Sequence, residues 1–195
     1  MEIVIRPLTG AEIAAAIADL AALRIAVFAA YPYLYDGDAA YEAAYLKEFV
    51  AAPDAVLVAA FAGAKIVGAA TASPMWAQKD EFRAPFEERG IDTASLFYFG
   101  ESVLLPDYRG LGIGHAFFDH REAQARICGA NAATFAAVIR PGDHPAQPAG
   151  HVPLDLFWTK RGYAPVEHFV TRLAWKEHGE VVGSVKPMQY WMREL

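Results

Sequence analysis

Cysteine is nearly missing from this chain, with one residue, Cys128, in 195. That excludes an intramolecular disulfide and a cysteine-rich metal site, and Cys128 reads as a small apolar residue near a helix end. Basic residues are in deficit, 17 Lys and Arg against 23 Asp and Glu, and the net charge of −6 would repel nucleic acid and anionic lipid. A cationic amine partner is permitted by that balance, not demanded. No apolar run approaches the roughly 18 residues of a membrane-spanning helix. The start, Met1-Glu2-Ile3-Val4-Ile5-Arg6, also lacks the basic and then apolar stretch of a secretory leader. The expectation is a cytoplasmic protein without membrane or nucleic-acid partners. Repeats, heptads and low-complexity tails are absent too. His144 and His151 lie in a proline-rich loop and form no compact ligand set, so no metal is expected.

What is present is apolar and periodic. Hydrophobic residues make up 55% of the chain, and its length suits a single domain over residues 1–195. Alternation predicts a first strand over Glu2 to Arg6. Ile13, Ile17, Leu20, Leu23, Val27 and Phe28 at helical spacing predict a helix from about Ala11 to Ala29, with a second over Ala39 to Ala51. Two β-rich runs around Gly63 form a hairpin, Asp54 to Phe61 and Lys65 to Ser73. A charged, partly helical insertion with Pro85 fills Lys79 to Gly90. A central strand, Leu96 to Leu104, precedes a helix over Gly112 to Gly129 and a strand, Ala132 to Ile139, apolar enough to be buried on both faces. After a loop over Arg140 to Pro153 come a short helix, Leu154 to Arg161, and two strands around Glu167 to Trp175 and Ser184 to Arg193. The fold class is therefore mixed α/β, in the order β-α-α-β-β-β-α-β-α-β-β.

The segment from Glu101 to His115 carries the most chemistry. An apolar strand runs into Arg109-Gly110-Leu111-Gly112-Ile113-Gly114 and then a helix. Glycines there let backbone N–H groups converge on an anion at the helix N-terminus, where summed peptide dipoles place roughly half a positive charge. Arg109 adds a permanent cation, and His115 could point at phosphate. A Walker loop is excluded, because His115, Ala116 and Phe117 stand where lysine and a hydroxyl would follow the last glycine. A dinucleotide fingerprint is excluded as well: Ile113 and His115 occupy the third glycine position, and no acid follows about 20 residues on.

What remains, Arg109-x-x-Gly112-x-Gly114 directly after a strand ending Val103-Leu104-Leu105-Pro106, resembles the pyrophosphate motif of the GNAT superfamily of acyl-CoA-dependent N-acyltransferases. The element order resembles that fold over nearly the whole chain, including Phe157-Trp158-x-x-Arg161-Gly162-Tyr163 near its end. The resemblance implies a splayed mixed sheet, with the pantetheine arm between the strand of Val103 and that of Val138. It implies acetyl-CoA as acyl donor, bound by Val103, Leu104 and Leu105 and by Arg109 through His115. The backbone N–H of Leu104 or Leu105 is then the oxyanion contact. Relatives place a thiolate-protonating tyrosine on the late short helix, where this chain has Trp158, whose indole cannot serve as an acid. Tyr163, water, or direct departure of the thiolate stay open.

Glu101 is the candidate general base, because alternation sets it on the face of Phe97, Phe99 and Val103, in apolar surroundings that favour a raised pKa. Tyr31, Tyr33 and Tyr35 alternate in the loop between the first two helices and can wall a small acceptor, with Asp36 and Asp38 near to attract an ammonium. Arg140 could meet an acceptor carboxylate or a CoA phosphate. The function expected is acetyl transfer to a primary amine of a small molecule by direct attack in a ternary complex. A non-catalytic acyl-CoA sensor and a protein or peptide acetyltransferase are the alternatives, and a homodimer is compatible with the chain.

Overall fold

The alternating and apolar runs assemble into one seven-stranded sheet in the computed structural model, which describes residues 2–195. β1 (Ile3–Leu8), β2 (Val56–Ala62), β3 (Lys65–Pro74), β4 (Leu96–Leu104), β5 (Ala132–Val138), β6 (Ala164–Trp175) and β7 (Ser184–Glu194) lie in the order β1-β2-β3-β4-β5-β7-β6. All neighbours are antiparallel except β4 and β5. Side chains alternate between the two faces along β2. Leu57 and Ala59 pack with Ile13, Leu20 and Leu23 of α1 (Ala11–Phe28) and Leu46 of α2 (Ala39–Ala51). Val56, Val58 and Ala60 pack with Ile113, Phe117 and Phe118 of α4 (Ile113–Ile127). The sheet thus has helices on both faces, as mixed α/β composition requires.

The charged insertion contains a helix of its own, α3 (Asp80–Glu87), with Pro85 in its last turn. A proline there removes the N–H that would bond the carbonyl of Glu81. Thr171 of β6 donates its hydroxyl to that carbonyl instead, at 3.3 Å. Phe82 and Phe86 anchor α3 against Phe169 and Tyr190. The short helix α5 (Asp155–Lys160) follows the long loop, as expected.

Two irregularities position the site. β4 and β5 pair only through Leu96, Phe97 and Tyr98. Beyond Tyr98 they part, and β5 stays with β7 as far as Val138. This wedge explains why Ala136 to Val138 are half-buried where burial on both faces is expected. The second irregularity is a bulge in β4. Ala70 faces Ser102 while Ala72 faces Phe99, so β4 carries one residue more than β3 over that stretch. Gly100 sits in the bulge, where a Cβ would meet Thr71 Oγ1 at 2.5 Å. Thr71, unpaired across the ladder, has its carbonyl taken by Arg121 Nη1 of α4 at 3.4 Å, with the guanidinium stacked over Phe99 and Phe118.

Candidate active site

The bulge corrects the surroundings expected for Glu101. It shifts the alternation by one, so Phe97 and Phe99 face α4 while Val103 faces α1 and α2. Glu101 turns with Val103, and its carboxylate meets a cation: Arg24 Nη1 of α1 lies 2.8 Å from Glu101 Oε2. Arg24 also bonds Glu42 of α2 through Nε, and Tyr35 donates its hydroxyl to Glu42 Oε1 at 2.9 Å. Two carboxylates thus share one guanidinium, with side-chain exposures of 4% for Glu101, 0% for Glu42 and 11% for Arg24. Burial opposes the charge on Arg24, but Glu101, Tyr45 and Glu42 outweigh it and hold the guanidinium protonated. Tyr45 covers it further, with its ring centroid 4.5 Å from the guanidinium carbon.

Arg24 and Glu42 are absent from the sequence-based site. Their signal is Arg24 lying four residues from both Leu20 and Phe28, on the apolar stripe of α1. A charge on such a stripe needs a partner.

The three tyrosines expected on one wall diverge, because residues 30–35 form a turn in which Leu34 takes φ 55° rather than an extended strand. Tyr31 donates to Gln147 Oε1 at 3.2 Å and packs against His144 and His151. Tyr35 is buried on Glu42. Tyr33 is buried near Arg24 and Arg140, and that burial pushes its hydroxyl up to about 12 against the opposing pull of the two guanidinium groups. Asp36 and Asp38 are engaged as well: Asp36 with Lys176 at 2.7 Å, and Asp38 as the cap of α2 on the N–H of Tyr41 at 2.7 Å.

Arg140 is likewise corrected from a ligand-facing group to a strap. Its Nε donates to the carbonyl of Pro32 at 2.6 Å, and its Nη2 bonds the Tyr33 carbonyl and Glu177. Trp175 Nε1 reaches the same Tyr33 carbonyl at 2.9 Å. The tyrosine loop is therefore tied to β5 and to the β6–β7 turn as a fixed wall. Arg140→Ala should raise amide exchange in residues 31–36 at least tenfold and leave acetyl-CoA affinity unchanged, read by hydrogen exchange and calorimetry. Unchanged exchange would remove the strap.

The glycine turn after β4 has the expected form. Gly112, at φ 80°, caps α4, and a Cβ there would meet nothing within 4 Å. The first N–H of the helix to find a backbone partner is that of His115, on the Gly112 carbonyl at 3.0 Å. Those of Gly112, Ile113 and Gly114 remain over for an anion. Gly110 and Leu111 are exposed beside them. Arg109 folds back, with Nε and Nη2 each 3.3 Å from the Leu104 carbonyl. The His115 ring is turned onto Phe157 and Arg161, away from the role of phosphate ligand.

Along β4 the expected donors separate by strand parity. The N–H of Leu105 bonds the Val67 carbonyl of β3 at 3.0 Å. Alternate residues face the same neighbour, so Val103 also pairs with β3, and its side chain is wholly buried. Leu105 and Val103 are thus unavailable to a ligand in the wedge. Leu104 and Ser102 point the other way, into it. The late-helix position is filled by Trp158, packed on Phe135 and Trp191, while Tyr163 is 1% exposed with its hydroxyl on Glu122. Among the described residues no group of three or more His, Cys, Asp or Glu could hold a metal, and no helix is long and apolar enough to cross a membrane.

A strand wedge, a bulge carrying an acid and a glycine turn capping the next helix coincide with a family match over residues 22–149, described as the Acetyltransferase (GNAT) family. The chain belongs to the GNAT acetyltransferase family. Solved GNAT structures share the fold across their lengths. A ribosomal-protein-alanine N-acetyltransferase from Brucella melitensis has TM-score 0.61 at 14% identity, covering 98% of this chain and 99% of that one. A candidate acetyltransferase from Salmonella typhimurium, solved with its cofactor acetyl-CoA, has TM-score 0.58 at 14% identity, covering 100% and 95%. An aminoglycoside 6'-N-acetyltransferase complexed with coenzyme A has TM-score 0.59 at 16% identity, covering 98% and 96%. At such identities the likeness is one of fold. No curated protein matches the chain. Within this GNAT chain, Glu101, Leu104 and the Gly112 turn lie along one continuous segment, residues 101–114, whose β4 part borders the wedge.

Proposed function

We propose that this protein transfers an acetyl group from acetyl-CoA to a primary amine of a small molecule, by direct attack in a ternary complex. The observation that carries the reading is Glu101, a buried carboxylate paired with Arg24 at the bulge where β4 leaves β5. In this reading the N–H groups at the start of α4 hold the pyrophosphate, and the open edge of β4 pairs with the pantetheine arm. The N–H of Leu104 faces the thioester oxygen. The amine nitrogen attacks the thioester carbonyl and loses a proton to Glu101, directly or through water. The carbon–sulfur bond then breaks, the amide leaves, and the thiolate takes up a proton.

The strapped tyrosine loop supports a small acceptor over a peptide, since Arg140 and Trp175 hold that wall closed against the β6–β7 turn. The burial of Tyr163 and the indole at Trp158 favour one alternative, an acyl-CoA sensor without turnover, because the late helix offers no acid. Thiol release from acetyl-CoA across a panel of amines, with product mass, separates the two. Binding without release would support the sensor.

Gly112→Val tests the cradle. The backbone must hold φ 80°, which costs a β-branched residue about 1–2 kcal/mol, and the added side chain projects into open space where the ligand is expected. Acetyl-CoA binding should become undetectable by calorimetry while the fold survives by circular dichroism. Unchanged affinity would contradict the cradle.

A further inference from the structure

A cavity of about 60 Å³ opens between α2, the end of β3 and β4, with Tyr45, Thr71, Ser73, Gln78, Tyr98 and Gly100 in its wall. Gly100 sets it beside the bulge, next in sequence to Glu101. Tyr45 is a wall in common: its ring covers Arg24 and also lines the cavity. The cavity therefore adjoins the carboxylate cluster on the face of α1 and α2.

Three hydroxyls belong to its wall, those of Thr71, 2% exposed, Tyr98, 6% exposed, and the half-buried Tyr45. Hydroxyls this buried need bonding partners, and three in the wall of a single cavity form a set complementary to a polar ligand. The Ser73 hydroxyl accepts from Gln78. The charges in the wall are spent on each other: Lys79 pairs with Glu48 at 2.9 Å at the exposed rim. A second ammonium or a carboxylate on the ligand would find no free counter-charge. The volume holds roughly four to six non-hydrogen atoms, reckoned from the space one water occupies.

We infer that this cavity binds the acceptor, and that the acceptor is a small amine bearing hydroxyl groups and no second charge. Its hydroxyls meet Thr71, Tyr45 and Tyr98, and its nitrogen is turned to Glu101. The inference rests on the transferase reading above. A site built to bond a hydroxyl discriminates against an amine lacking one, because its own buried hydroxyls are then left unpaired.

The test is thiol release with saturating acetyl-CoA and ethanolamine or serinol, compared with n-propylamine, putrescine and glycine. The amino alcohols should exceed the other three about tenfold or more in kcat/KM. Tyr98→Phe removes one hydroxyl and keeps the ring, so it should raise the KM for serinol about tenfold and narrow the preference for serinol over n-propylamine at least as much, with the KM for acetyl-CoA unmoved. Thr71→Val gives a second, independent deletion with the same expected pattern. Equal use of n-propylamine, preference for putrescine or glycine, or uniform slowing of every amine by both variants overturns the cavity assignment and leaves the transferase reading standing. Retained acetyl-CoA binding with no thiol release from any amine overturns the transferase reading, and this inference with it.

Discussion

Glu101→Gln should slow thiol release by about 10²-fold with acetyl-CoA affinity unchanged, the scale of a lost general base. The substitution keeps shape and hydrogen-bonding capacity but removes the site that takes the proton. The geometry makes the test specific. Glu42 lies in the same cluster, yet both its oxygens are engaged, by Arg24 and by the hydroxyl of Tyr35, whereas Glu101 stands on β4 itself at the bulge beside the wedge. Glu42→Gln should therefore cost less in turnover than Glu101→Gln. Wild-type rates for Glu101→Gln across the pH range, measured with a competent amine, would take this carboxylate out of the reaction.

Arg24→Met should destabilise the fold by about 3–5 kcal/mol, the cost of leaving buried charge unpaired. One guanidinium serves two carboxylates that are each less than a twentieth exposed, so its removal strands both. Methionine nearly conserves the volume against Phe28 and Tyr45, which isolates the electrostatic part. Arg24→Lys should fall between, because an ammonium keeps the charge but cannot bridge both carboxylates as a planar fork does. Urea unfolding of the three proteins gives the comparison. A loss below about 1 kcal/mol, the range of an exposed pair, would mean that the cluster is wetter than its burial indicates.

Much of the fold was legible from local pattern. Ala39–Ala51 and Leu96–Leu104 have the boundaries that periodicity assigns, and the Gly112 turn caps its helix as the glycine spacing implies. Such features depend on residues within a turn or two of one another, where side-chain period and backbone freedom act directly. The candidate site was legible in part. Glu101 stood out because a carboxylate in an apolar strand needs a reason to be there, and the family resemblance implied an acyl-CoA donor.

Where partners come from distant segments, local pattern misled. Period-2 alternation cannot see an extra residue in β4, because the bulge exists only against the register of β3 and is braced from α4 by Arg121 on Thr71. That single residue moves Glu101 from the face of Phe99 to that of Val103. The tyrosines at 31, 33 and 35 looked like one wall, but Arg140, Trp175 and Glu42 draw their loop in three directions. Tyr45 and Tyr98, far apart in sequence, come to share a cavity with Thr71 instead. By itself the sequence determined most of the elements, the glycine turn that caps α4 and the presence of an acid before it, since each is set by short-range sterics and hydrophobic period. Tertiary structure alone decided the partner of that acid, the open N–H groups of β4 and the hydroxyls that converge, because burial and pairing are properties of segments brought together by the sheet.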